Sequence, residues 1–353
     1  ALSANTTGAD NTALGHYALV VNTTGTQNTA VGSYAMDANT TGDYNTSVGY
    51  NSMSGNTTGY RNVAVGYSAL GAQTTAAYNV GIGMYAGDAI TTGEANTAVG
   101  YAALTDQTTA NYNTAVGYEA AANVTTGDRH VAVGYQALHT NATQDAHTAV
   151  GYRAMYSATT SSANNVAVGF DCMYSTTGGY YNVAAGLQAL YANTTGLANV
   201  AIGYQTLYNA TTASYNTGSG YSALKAITTG EHNVGVGYAA MWQATTAYNN
   251  VVIGGSCASN LTTGNSNILI GSSAANSTVL LTTGAANVVI GQAARTSSAT
   301  VSNEIVLGQE VTGTGNSTFV FGNGTNDTNC SMGGTTWATP SDERVKEEIE
   351  DEV

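Results

Sequence analysis

The stretch Asn62-Val63-Ala64-Val65-Gly66-Tyr67-Ser68-Ala69-Leu70, followed by a polar link and a Thr-Thr-Gly turn of the kind seen at Thr91-Thr92-Gly93, decides the architecture. Val63 and Val65 lie two apart and share a face, with small Ala64 pointing the other way, which is the alternation of a β-strand. Gly66 offers the positive φ that a sharp corner needs, and Asn and Thr cap turns through side-chain bonds to the backbone. A second short segment ending at Ala69-Leu70 is predicted to supply another wall. The unit therefore reads as one coil: strand, corner, strand, turn.

The same glycine recurs every 17 residues from Gly15 through Gly32, Gly49 and Gly66 to Gly151, then after 18 at Gly169. It continues every 17 to Gly271, after 20 at Gly291 and after 17 at Gly308, which makes eighteen registers with two insertions. One coil holds only two or three Val or Leu side chains to bury, so it must stack on its neighbours. The predicted class is all-β: a parallel β-solenoid, or β-roll, of about eighteen 17-residue coils over residues 1–310. Stacked strands lie about 4.8 Å apart, which gives a rod roughly 85 Å long. An Asn stands four residues before most of these glycines (Asn28, Asn45, Asn62, Asn79, Asn96, Asn113), a column expected to form a ladder of amide hydrogen bonds. Many inward positions are Ala, Thr or Gly, so the core is thin. Side-by-side association would bury the remaining Val, Leu and Tyr surface, and a homotrimer is the expected assembly.

Charged residues make up only 8% of the 353-residue chain, against about a quarter in ordinary globular proteins, which leaves a neutral, hydroxyl-rich surface. The net charge of −14 is not spread evenly: residues 341–353 alone carry seven acids against Arg344 and Lys346 and account for −5 of it. Seven basic residues in all form no stripe able to neutralise phosphates, so neither nucleic acid nor an anionic membrane surface is an expected partner. No apolar run is long enough to insert through a bilayer. Cys172, Cys257 and Cys330 are odd in number and far apart, which is not a disulfide framework. The chain opens at Ala1-Leu2-Ser3-Ala4-Asn5-Thr6-Thr7-Gly8, inside a repeat, and more shaft is expected upstream.

The unit Asn-x-Ala-Val-Gly-Tyr-x-Ala-Leu resembles the head repeats of trimeric autotransporter adhesins, which implies a left-handed parallel β-roll in a trimer. With its Thr-Thr-Gly turns it is more similar to the shafts of phage tail fibres and bacterial tail-fibre-like proteins, over residues 1 to about 310. A second resemblance lies at Ser341-Asp342-Glu343-Arg344-Val345-Lys346, which looks like the opening of the self-cleaving intramolecular chaperone domain of phage fibres and tailspikes. That resemblance implies a nucleophile at Ser341, an activating base at Lys346 and a cut just before Asp342. A partly desolvated lysine can take the serine proton in such chemistry. Residues 341–353 are then the truncated start of the chaperone. Residues 311–340 form a junction, preceded and entered by the apolar runs Asn287-Val288-Val289-Ile290, Ile305-Val306-Leu307 and Phe319-Val320-Phe321.

Among possible sites, the 24 tyrosines are the most prominent, because aromatic rings beside amides and hydroxyls suit stacking on sugars. Their regular placement after the motif glycine (Tyr50, Tyr67, Tyr101, Tyr118, Tyr135) favours a packing ladder or trimer contact, with any glycan site expected where the register breaks. His130 and His147 stand in the asparagine column and are predicted to stack one strand spacing apart. They are weak candidates for a metal, with polar replacement of Asn as the default. Sparse carboxylates such as Asp43, Asp88, Glu94, Asp128 and Glu231 sit beside turns and offer no pair for glycoside cleavage. No cofactor is implied. The expected role is the rigid shaft of a virion tail fibre or extracellular fibre that presents an adhesive end to a host surface glycan or protein receptor. A bacterial surface adhesin or filament is the alternative, and an ice- or carbohydrate-binding solenoid a weaker one. Enzymatic chemistry is confined to self-cleavage at Ser341.

Overall fold

The computed structural model describes residues 1–140, 143–159, 163–325 and 327–332. The chain divides into two compact units, residues 1–195 and 196–353. Among the described residues there is no helix, and so none long and apolar enough to cross a membrane.

Unit one is a parallel β-solenoid of eleven coils among the described residues, each contributing one three-residue strand. These are β1 (Thr12–Leu14), β2 (Thr29–Val31), β3 (Thr46–Val48), β4 (Val63–Val65), β5 (Val80–Ile82) and β6 (Thr97–Val99). They continue through β7 (Thr114–Val116), β8 (Val131–Val133), β9 (Thr148–Val150), β10 (Val166–Val168) and β11 (Val183–Ala185). Each strand pairs with the next in parallel and in strict register: Thr46 faces Val63, and Val63 faces Val80.

Unit two repeats the arrangement with β12 (Val200–Ile202), β13 (Thr217–Ser219), β14 (Val234–Val236), β15 (Val251–Ile253), β16 (Ile268–Ile270), β17 (Val288–Ile290) and β18 (Ile305–Leu307). Strand β19 (Thr318–Phe321) still pairs in parallel with β18, but β20 (Thr328–Ser331) runs antiparallel to β19. This hairpin hydrogen-bonds the free side of β19, which would otherwise offer a pairing edge.

Two readings of the coil are corrected. The segment after the motif glycine, Tyr67–Leu70, is not a second strand but a run of turns in which Ser68 and Leu70 take left-handed φ values of 50° and 51°. Its amides still pair between coils, with Ser68 N–H donating back to Tyr50 O and Leu70 N–H forward to Ala86 O, both at 3.0 Å. The valines at the first and third strand positions, moreover, do not form the core. Ala64 is buried while Val63 is half-exposed and Val65 exposed, and the same pattern recurs from coil to coil. The left-handed residue at position 70 turns its side chain inward, so the core is a column of Leu19, Met36, Met53 and Leu70 packed on the strand alanines Ala30 and Ala64. Where that column holds a small residue, a large one follows: Gly87 with Ile90, Ala121 with Val124 and Ala258 with Leu261, three residues on, and Ala275 with Leu281, six on. Close packing requires this exchange, since an unfilled pocket costs stability.

The motif glycine is obligatory for two reasons. Gly66 has φ of 139°, outside the range of L side chains, and a Cβ there would overlap the carbonyl oxygen of Gly83 in the next coil. The asparagine column forms the expected ladder. Asn28 Oδ1 accepts from the backbone N–H of Asn45 at 3.0 Å and from its Nδ2 at 3.2 Å, and that Nδ2 also donates to Gly59 O at 2.8 Å. A buried amide thus satisfies backbone groups that the short strands leave unpaired. In unit two the ladder ends at Glu304, whose N–H donates to Asn287 Oδ1 at 3.0 Å. The buried carboxylate of Glu304 accepts from the amides of Ser297 and Gly315, each at 2.9 Å.

Candidate functional site

The chemistry available to a partner lies on the outer face of the coils. Positions one and three of each strand point outward and form two straight columns: Thr97 beside Thr114, and Val99 beside Val116. Past the corner, the residue after the motif glycine carries the tyrosine ladder. In unit one Tyr101, Tyr118, Tyr135, Tyr152 and Phe170 stack with ring centroids 5.0, 5.3, 5.0 and 4.9 Å apart. The strand spacing sets this separation, so each ring covers the face of the next.

Four residues further along the coil a second aromatic column runs parallel to the first, with His139, Tyr156, Tyr174 and Tyr191 at spacings of 5.0, 5.2 and 5.4 Å. Between the two columns lies a groove, floored by the second residue after the motif glycine. Arg153 fills it in unit one: its guanidinium lies 5.0 Å from the ring centroids of both Tyr152 and Tyr174 and forms a bidentate pair with Asp171, both bonds 2.9 Å. Earlier in the unit the groove opens into a cavity of about 350 Å³ lined by Tyr101, Thr105, Asp106, Glu119 and His139. There the Gln136 amide, donating to Glu119 at 2.7 Å, holds the Glu119 carboxyl below its ordinary range, so this opening is anionic.

Unit two holds a different opening. Tyr204, Tyr221 and Tyr238 stack at 4.7 and 5.3 Å, and then Gly255 occupies the place of the next ring. The facing column reads Lys225, Trp242, Ser259, and the floor Ser222, Ala239, Ser256. Together they enclose a cavity of about 380 Å³. Sequence reasoning passed over Trp242, Lys225 and Gly255. Their signal was available as three departures from column character in consecutive coils.

The histidines stack as predicted, with His130 and His147 rings 5.5 Å apart and 8° from parallel. They are buried and imitate the amides they replace: His130 Nδ1 accepts from His147 N–H at 3.2 Å, and His147 Nδ1 accepts from Asn165 N–H at 3.4 Å. Burial pushes the His130 imidazole down to about 4. With both Nδ1 atoms engaged by backbone, the pair is built as a ladder segment, and the described residues contain no group of three or more His, Cys, Asp or Glu able to hold a metal ion. Ser341, Asp342 and Lys346 lie outside the described residues. Comparison of the chain with protein-family models, with curated proteins and with solved structures finds no match.

Proposed function

We propose that the chain is the shaft of a homotrimeric fibre, on a virion tail or a cell surface, that holds an adhesive end away from its base for host attachment. The observation that carries this reading is the outward strand face, where an apolar side chain recurs from coil to coil in unit one, as at Val31, Val48, Val65, Ile82 and Val99, and stays partly or largely exposed. Covering a half-exposed valine contributes roughly 1 kcal/mol. One coil gains too little to associate, but eleven in register gain on the order of 10 kcal/mol, comparable with the cost of association. Threefold closure would cover that face on every chain, while the aromatic groove past the corner stays outside. The role is then mechanical: length, stiffness and resistance to proteases from coil-to-coil hydrogen bonds. A bacterial trimeric adhesin or filament would use the same shaft.

Light scattering on the native chain tests the reading. A mass near three times 35.7 kDa supports it, and a monomer removes it. Self-cleavage at Ser341, with Lys346 as base, belongs to the same proposal. It predicts that Ser341→Ala retains a longer product in a chain extended past residue 353, and unchanged processing rejects it. The outward Thr and Val columns favour one second reading, a monomeric solenoid offering a flat hydroxyl-and-methyl array to ice. A monomeric mass together with inhibited ice recrystallisation would establish it.

A further inference from the structure

The aromatic groove is closed or acidic in unit one and open in unit two, and the opening has a definite construction. The tyrosine ladder stops at Tyr238, which is 60% exposed, because the next position is Gly255. A Cβ added to Gly255 would meet nothing within 4 Å, so the glycine leaves open space where the ladder would continue. Across the groove Trp242 presents its indole, 43% exposed. Lys225 stands one coil earlier in the same column, its Nζ 5.8 Å from the Tyr208 ring centroid, with no carboxylate in ion-pair distance among the described residues. The hydroxyls of Ser222, Ser256 and Ser259 line the same cavity.

We infer that this cavity between Tyr238 and Trp242 binds a saccharide, a pyranose ring carrying a carboxylate. A pyranose has one face of C–H bonds, whose electropositive hydrogens meet the negative face of an aromatic ring. The two rings needed, Tyr238 and Trp242, both line the cavity, and the absence of a ring at position 255 leaves an open slot beside it on the Tyr238 side, where the sugar can cover Tyr238 as the next rung would. The serines supply hydroxyl partners for an equatorial rim of sugar hydroxyls. Lys225 is the only basic residue among those lining the cavity, which holds no carboxylate, so an acidic sugar is favoured over a neutral one. The anionic opening of unit one, with Glu119 and Asp106, lacks this preference and serves as an internal contrast. At about 380 Å³ the cavity is at the small end of ligand sites, which fits one or two sugar residues and weak binding per chain. The biological purpose rests on the fibre reading, since three copies per trimer would gain avidity; the site itself does not.

The test uses Trp242 fluorescence in the full chain carrying Trp337→Phe, titrated with sialyllactose, tetragalacturonate and the neutral sugar lactose. At least one acidic probe should saturate the signal at millimolar concentration or below, and more tightly than lactose. Gly255→Tyr restores the residue type found at this position in earlier coils, so it should fold normally and should lower affinity at least tenfold by filling the slot. Lys225→Gln should weaken the acidic probe at least tenfold more than it weakens lactose, removing the acid-over-neutral preference. Saturation by no probe, or equal binding by the Gly255→Tyr chain, overturns the site. Light scattering on the same samples separates the two claims: a trimer without binding removes the site alone, and a monomer that binds removes the fibre alone.

Discussion

Acidification from pH 7 to pH 4 should loosen unit one at His130, and the size of the effect follows from its place in the ladder. Protonating Nδ1 would set an N–H against the backbone N–H of His147, which now donates to it at 3.2 Å. Burial lowers the imidazole from 6.5 to about 4, so the folded state holds it neutral where the unfolded chain takes up a proton. The stabilising contribution is therefore complete above pH 6.5 and is lost as pH falls toward 4. It declines by about 2 kcal/mol at pH 5 and about 3 kcal/mol at pH 4. The charged groups facing the ring are Arg129, which opposes protonation, and Asp145, which favours it, and the carbonyl of Gln144 accepts a hydrogen bond from the ring. Arg129 and Asp145 also pair with each other at 2.9 Å. Because a solenoid's coils couple chiefly to their neighbours, the loss should be local. Hydrogen exchange at the Val131 and Thr148 amides, at pH 7, 5 and 4 after correction for intrinsic rates, should reveal it. The control is His130→Asn, which restores the residue of the other coils and leaves Arg129 and Asp145 in place. Parent and variant losing the same protection between pH 6.5 and 4 would refute the argument.

Other substitutions probe the coil itself. Gly66→Ala forces an L residue to φ of 139° against the Gly83 carbonyl, and urea unfolding should register a loss of about 3 kcal/mol or more, far beyond the cost of an exposed Gly→Ala change. Leu104→Ala empties a fully buried position, for an expected 2–5 kcal/mol, about as much as any inward leucine. The buried thiols of Cys172 and Cys257 are each pushed up to about 12, which reduces the reactive thiolate at pH 8 on the order of a thousandfold. In a Cys330→Ser chain, alkylation at Cys172 should therefore report opening of unit one and alkylation at Cys257 opening of unit two. Rapid labelling of either in native buffer would contradict their burial.

The 17-residue period, the all-β class and the parallel stacking were legible because each rests on one-dimensional signals. A glycine at fixed spacing, a short β-branched run and a polar column must repeat if identical coils stack. The asparagine ladder and the stacked His130 and His147 were legible for the same reason, since residues in one column become neighbours whatever the cross-section. A second ladder was missed: Asn22 Nδ2 donates to Asn5 Oδ1 at 3.0 Å and Asn39 Nδ2 to Asn22 Oδ1 at 2.8 Å, but this column gives way to Gln73 and Ile90 and so has no constant letter to notice.

Which strand face is inside, and where the groove opens, were decided only by the tertiary structure. Alternation in Val63-Ala64-Val65 separates two faces without naming the buried one. The choice falls to Leu70, which reaches the core only because it adopts a left-handed conformation that no residue preference signals. Coil closure imposes that backbone, and once Leu70 fills the interior, a space the size of alanine remains opposite it. The valines and tyrosines are thereby turned outward, to the surfaces on which partners and ligands act.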